Sequence, residues 1–447
     1  MAHRKTWQEY TIADISLAAS RSDWPWPFDQ DDLVDDDVTA PSQSNLGKEE
    51  SIKFQTHYIA QKSNFNLLSQ TPSSDVSTEK LRAFGRKPNV IAIIRETPDS
   101  KSSEKKNKQQ LEIWKDNSLH SSVNLQLFDE HGEVYTDGTF GCLEFSPDEK
   151  YLVYLAEKKE PKKQSFLQSE VAATVEGSKV GVEYDFVEDW GEQFTGKSQP
   201  VICIFKVNWD PFQSEDCVRI LEASEEWSPG QLIWCSNNQL AGVAWFHQPR
   251  RLEIIYCSNR PSQIFKVDIS SGKYDWFGLK TNTAASPRHH SESDTIIYLS
   301  SLAYGPHRKE QKISSISPDG TVRQVETGTN DSYQGIYCTI NRSQSGADSS
   351  NICKLSLPEG CTGSVVLDVF QDVILVCGVS LIRPDQLFIG RFNSDKINEY
   401  SIEWKCLTVK NELPPTQSLA SDVFSVKLAG AMEYVVFKLN KFTVVIV

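Results

Sequence analysis

From about residue 53 onward the chain alternates short apolar runs with polar, turn-rich stretches. Val90-Ile-Ala-Ile-Ile-Arg95 is followed, after the charged stretch 97–110, by Leu111-Glu-Ile-Trp114, a Lys-Asp-Asn-Ser turn and a further apolar run. Phe145-Ser-Pro-Asp-Glu-Lys-Tyr-Leu-Val-Tyr154 places a turn before a buried run, and Val201-Ile-Cys-Ile-Phe-Lys-Val207 follows it. Trp234 to Trp245 repeats the Phe145 shape. Gln263 to Trp276 reads as a hairpin turning at Ser271-Gly272, and Asp294-Thr-Ile-Ile-Tyr-Leu-Ser300 closes another unit. Runs of about 4–8 residues rich in Val, Ile and aromatics, bounded by Gly, Pro, Asn and Ser, have the length and chemistry of strands.

The order repeats: an aromatic-Ser-Pro/Asn-Asp/Asn turn, an apolar strand, a loop, a strand, a polar turn, a strand. Its inner-strand element recurs at Leu152, Ala241 and Ile296. The period is near 55–60 residues once an insertion of about 30 is set aside, which is the mark of radially stacked four-stranded sheets. A single such sheet cannot bury both faces, so the unit must repeat. The expectation is an all-β β-propeller of about seven blades, against a β-sandwich pair or a strand-rich solenoid.

The first 52 residues differ. Trp7 to Ser20 fits one short amphipathic helix, broken by Trp24-Pro-Trp-Pro27. The tract Asp29 to Asp37 is acidic but lacks the alternating ligands, central Gly and closing Glu of a calcium loop, so it reads as a solvated, poorly ordered segment. Residues 1–52 therefore form an N-terminal extension with a short helix, and 53–447 the propeller. Stretches 97–110 and 157–200 read as exposed hairpin loops.

Composition narrows the partners. Lys and Arg total 46 against 60 Asp and Glu, a net charge of −14. Phosphate backbones and anionic membrane surfaces repel such a chain, so neither nucleic acid nor membrane is expected as a partner. No run of about 18 apolar residues suggests a transmembrane helix, and MAHRKTWQEY has no apolar core of a signal peptide. Ten cysteines are scattered, none in a CxxC pair, several inside apolar runs. That fits reduced, buried thiols in a cytoplasmic protein rather than a disulfide framework or zinc site.

The search for catalytic chemistry is negative. There is no G-x-S-x-G, whose strained turn would lift a serine above a hydrolase sheet, and no P-loop, GxGxxG or HExxH. Eight histidines occur without metal-ligand spacing, so no metal and no cofactor is expected. Two clusters offer contacts. Glu188, Asp189, Trp190 and Glu192 form a carboxylate-rich group around an aromatic, suited to a peptide's amine end or a partner's arginine; the plainer reading is an acidic loop whose Trp packs on the adjacent blade. Arg250 and Arg251 present a cationic pair to a peptide carboxylate, or are solvated at a hairpin tip.

Five segments in order resemble the propeller part of the acylaminoacyl-peptidases (acylamino-acid-releasing enzymes) of the prolyl-oligopeptidase group. They are Gly141 to Lys162 (GCLEFSPDEKYLVYLAEKKEPK), Phe186 to Glu192 with Lys197 to Cys203, Ser228-Pro-Gly-Gln231, Trp245 to Pro249 with Tyr256 to Arg260, and Gly335-Ile-Tyr-Cys338. The resemblance runs from about 111 to 340 and more weakly to about 430. It implies an N-terminal helix, a propeller and a C-terminal α/β-hydrolase domain carrying a Ser-Asp-His triad that removes N-acylated amino acids from short blocked peptides. The propeller would cap that site and exclude folded proteins by size.

The chain departs from this pattern twice. Residues 339–359 are short, polar and Ser-rich, so one blade is expected to be incomplete; Val365 to Phe392 resembles the final blade. The sequence ends at Phe442-Thr-Val-Val-Ile-Val447, where the hydrolase domain is expected to begin, so the triad has no positions to be carried onto. Two functions follow as expectations. One is the non-catalytic, substrate-gating propeller of such a peptidase, meeting short N-acylated peptides through a hydrolase domain outside this chain. The other is a stand-alone propeller acting as an interaction module, with self-association as one outcome.

Overall fold

The computed structural model describes residues 33–61, 64–98, 107–159, 163–164, 179–180, 186–210, 217–305, 311–324, 357–379, 386–407 and 421–446, with short gaps inside several of these. Five four-stranded antiparallel meanders make up most of the described chain. Blade 1 runs through Glu79–Phe84, Val90–Pro98, Asn107–Lys115 and Ser118–Asn124. Blade 2 has a divided first strand, His131–Val134 and Leu143–Phe145, then Tyr151–Lys158, Pro200–Lys206 and Cys217–Leu221. Blade 3 comprises Trp227–Ser236, Gln239–Phe246, Ser262–Asp268 and Tyr274–Phe277. Blade 4 comprises Asn282–His290, Thr295–Leu302, Lys312–Ile316 and Val322–Gln324. Blade 5 comprises Gly363–Phe370, Val373–Val379, Gln386–Lys396 and Glu399–Cys406.

The architecture is an all-β propeller, with five such blades among the described residues rather than about seven. The flanking sheets are built differently. In the N-terminal sheet, Leu33–Asn45, Glu50–Gln61 and Leu67–Gln70 pair in order while Ser74–Asp75 pairs back on the second strand. The C-terminal sheet has three strands, Ser421–Leu428, Met432–Leu439 and Phe442–Ile446. Dividing chain length by one period fails because the stretch between the second and third strands of blade 2 spends length without adding a blade.

No helical extension occurs among the described residues. From Leu33 the expected extension is strand, and the second half of the acidic tract is laddered to 57–61, with Asp37 opposite His57. The helix expected over Trp7 to Ser20, the start of the acidic tract and the segment 339–356 lie outside the described residues. The recurrent positions Leu152, Ala241 and Ile296 fall on the second strand of their blades, an interior strand in each sheet. No helix among the described residues is long and apolar enough to cross a membrane.

Burial explains why these runs are strands. Pro200–Lys206 is buried along all but its last residue. Its alternate faces serve two cores: Val201, Cys203 and Phe205 join blade 1 residues such as Ile94 and Leu111, while Ile202 and Ile204 join blade 3 residues such as Leu232 and Ile264. Side chains of period two on a strand covered on both faces require a continuous apolar run, which is what the sequence supplies. The blade 3 cluster continues into blade 4 through Ala284, Ile296, Tyr298 and Ile316.

One irregularity recurs. The first strand slips by one residue against the second between Ala40 and Gln43, Glu79 and Leu81, Gly230 and Ile233, Ala285 and Arg288, and Val366 and Asp368. These are β-bulges, and Gln231 and Ser286 sit there with left-handed φ of 49° and 52°. Blade 2 enlarges the same slip. Its first strand leaves the ladder at Val134, opposite Ala156, and returns at Leu143, opposite Tyr154.

Candidate functional site

In a meander the second-to-third and fourth-to-first connections share one end, and the two hairpin turns of each blade share the other. The described residues 186–199, 247–261 and 303–305 lie at the first end. The excursion Tyr135–Cys142, the segment 186–199 and the loop 247–251 meet there between blades 2 and 3.

Phe140, fully buried at the tip of the excursion, is the hub. Its ring lies 5.9 Å from Trp190, 5.4 Å from Phe194, 5.2 Å from Tyr135 and 5.5 Å from Trp245. The excursion is closed by Asp137, whose Oδ1 accepts from the backbone N–H of Thr139 at 2.8 Å and Phe140 at 2.9 Å. A Cβ on Gly141 would sit 2.2 Å from the Asp137 carbonyl oxygen, so only glycine fits this turn.

The six residues that the sequence singles out have different fates. Trp190 is 1% exposed, its ring 5.5 Å from His247. The Asp189 carboxylate accepts from Gly191 N–H at 2.9 Å and Gly196 N–H at 2.7 Å, holding the loop over two glycines at positive φ. Glu188 and Arg251, from the two separate clusters, are each other's partners. Arg251 Nη1 lies 3.1 Å from Glu188 Oε2, and its backbone N–H donates to Oε1 at 3.2 Å. Arg251 also donates to the Ser198 carbonyl at 2.9 Å and to Gln199 Oε1 at 3.1 Å. Arg250 is exposed, and the backbone of Glu192 lies in the 3₁₀ turn Glu192–Phe194. The segment 186–199 is thus not the exposed hairpin loop expected: Trp190 and Phe194 bury its middle.

Pattern reading missed Glu157 and His247. Glu157 accepts from the backbone N–H of Ser198 at 3.0 Å and Gln199 at 2.8 Å and from the Tyr135 hydroxyl. Burial, then Glu157, pushes the Tyr135 phenol far up, so it stays a donor. Lys197 pairs with Asp137 at 3.1 Å and lies 5.2 Å from the ring centres of Tyr135 and Phe194.

His247 Nδ1 faces the Glu225 carbonyl at 2.8 Å, so Nδ1–H donates there and Nε2 accepts from the Ser228 hydroxyl at 2.9 Å. Ser228 is fully buried and His247 6% exposed. A histidine whose second nitrogen meets a backbone carbonyl, in a serine pair closed to substrate, serves packing rather than nucleophilic catalysis. Burial, reinforced by Arg251, pushes the imidazole down to about 4. Because the unfolded imidazole protonates near 6.5, stability is full above that pH and falls as pH drops toward 4. His247→Gln is expected to remove about 2 kcal/mol of acid sensitivity in that window, checked by urea midpoints at pH 7 and 4.5; equal sensitivity in both proteins would refute it.

Among the described residues no cluster of His, Cys, Asp and Glu suits a metal ion. The eight described cysteines are free thiols.

Fold and site together define a propeller whose loop-rich end is knit by packed aromatics and ion pairs. A family model described as the N-terminal domain of the acylamino-acid-releasing enzyme matches residues 25–306, and the chain belongs to that family. The mouse acylamino-acid-releasing enzyme is 29% identical over 402 residues, covering 84% of this chain and 51% of its own length. The rat enzyme is 31% identical over 325 residues, covering 67% and 43%. The chain thus spans about half the length of the curated relatives it matches. Among solved structures, Pyrococcus horikoshii acylaminoacyl peptidase aligns at TM-score 0.49 and 12% identity, over 91% of this chain and 55% of that one. The β-propeller domain of the Trilobed protease from Pyrococcus furiosus aligns at TM-score 0.44 and 14% identity, over 85% and 93%.

Proposed function

We propose that this chain is the non-catalytic, substrate-gating portion of an acylaminoacyl-peptidase-like serine peptidase that releases N-acylated amino acids from short blocked peptides. The bond-breaking groups belong to a hydrolase portion outside these residues, seated on the loop-rich end. The free thiols suit a reducing compartment such as the cytoplasm.

One observation carries the reading. The exposed large apolar side chains Phe186, Val187, Tyr256, Leu279, Leu302 and Tyr304 all fall at the loop-rich end, with Leu119 and Val322 at the other. An apolar surface concentrated at one end, with only Leu119 and Val322 opposite among the residues named, suits a docking face. A propeller seated there screens a peptidase site from folded proteins while passing short chains.

The chain alone is expected to hydrolyse no acetyl-alanyl p-nitroanilide; turnover abolished by a serine-directed organophosphate would overturn the non-catalytic assignment. Co-expressed with the C-terminal half of the rat relative, it is expected to co-purify, and Phe186→Ser with Leu279→Ser to lower recovery. Undiminished recovery would remove the loop-rich end from the interface.

A further inference from the structure

Among the described residues, blade 5 shares no buried cluster with blades 1 to 4. Blades 1 to 4 share two clusters that pass from sheet to sheet. Blade 5 has two of its own. One is formed by Ile374, Val376, Phe388 and Ile402, all from blade 5. The other joins Leu375, Leu387 and Ile389 to Leu407 and to Phe65, which arrives from the N-terminal sheet. Among the described residues Phe65 is the contribution to either cluster from outside residues 361–407.

Phe65 lies just before the third strand of the N-terminal sheet, Leu67–Gln70, between exposed Asn64 and Asn66. It is 4% exposed, with φ of 55°. A bulky aromatic in left-handed backbone is a genuine outlier, held only where its surroundings over-determine it. Those surroundings belong to blade 5. The Arg391 guanidinium carbon stands 4.6 Å from the centre of the Phe65 ring, and Lys405 Nζ donates to Asn66 Oδ1. On its other side the same sheet touches blade 1, where Arg82 Nη2 donates to buried Gln55 Oε1 at 2.9 Å. Arg82 is tied in turn to Glu79, and Glu79 to Arg95 at 2.9 Å.

We propose that the N-terminal sheet is a strap fastening blade 5 to the body of the propeller, and that Phe65 is its pin. When the ring leaves its socket, blade 5 opens as one cooperative unit while blades 1 to 4 stay closed. A strained backbone on one side and a small apolar cluster on the other make this seam a weak point between sheets, where local opening is expected to concentrate.

Hydrogen–deuterium exchange on the full chain tests this. Phe65→Ala is expected to speed amide exchange at least tenfold in 373–379 and 386–392, leaving 151–158 and 239–246 within twofold of the parent. Unchanged exchange in blade 5 would overturn the proposal. So would an equal increase across all blades, which would make Phe65 one more member of a common core. If Phe65→Ala is not recovered folded, Phe65→Leu carries the same test. It keeps apolar volume but loses the ring beneath Arg391, and is expected to give at least a threefold acceleration confined to blade 5; a uniform or absent change overturns the proposal equally.

Discussion

Trp190→Ala is expected to lower stability by about 3–5 kcal/mol, the range for removing a large aromatic from a closed core. The indole is 1% exposed and packs against Phe140 and His247. Its loss removes transfer free energy and leaves a cavity that the neighbouring rings are poorly placed to fill. The consequence spreads, because the loop bearing Trp190 also supplies Glu188 to Arg251. Trp190→Phe should cost much less. Trp190 Nε1 is buried with no hydrogen-bond partner in the protein, so deleting that N–H removes an unmet donor along with some volume. Guanidinium unfolding of the three proteins checks both statements. An alanine variant within 1 kcal/mol of the parent would show that the aromatic hub is not a core.

The second large effect is expected at Glu144. Its side chain is buried in the short strand Leu143–Phe145, with Oε1 lacking a partner. Burial pushes its carboxyl up to about 8, opposed in part by the charge of Arg288. The unfolded carboxyl ionises near 4.5, so the folded state holds the proton more tightly. Stability is therefore full below about pH 4.5 and is lost as pH rises through 8. At about 1.4 kcal/mol per pH unit, this one group withdraws up to roughly 4 kcal/mol across that window. Glu144→Gln keeps the shape without the titration. It should match the parent at pH 4 and exceed it clearly at pH 8.5 in denaturant midpoint. Parallel losses in both proteins between those values would refute the assignment.

Local chemistry made much of the fold legible. The turn before Tyr151 and the Ser271-Gly272 turn between the last strands of blade 3 are where their residues say they are, with Gly272 at φ 68°. The number of blades was not legible, because Tyr135–Cys142 and 159–199 interrupt the period without adding a blade; the paired strands Lys163–Gln164 and Lys179–Val180 make only a two-stranded ribbon. The loop-end cluster was half legible. Trp190 among carboxylates stands out in any sequence, but its burial depends on Phe140 and His247. The partner of Glu188 lies 63 residues away at Arg251. Phe65 gave no signal: between two asparagines it has the look of a turn, and its role exists only because residues 375–407 come to meet it.

The repeated slip in the first strands has a practical side. In blade 2 it has grown into the excursion of Tyr135–Cys142 while Tyr154 and Ala156 kept their places in the ladder. Extra sequence therefore enters this molecule where hydrogen bonding is already interrupted. Protein engineers wishing to graft a reporter or affinity epitope have natural splice points at Gln231–Leu232 and Ser286–Pro287, one and two blades beyond nature's own precedent.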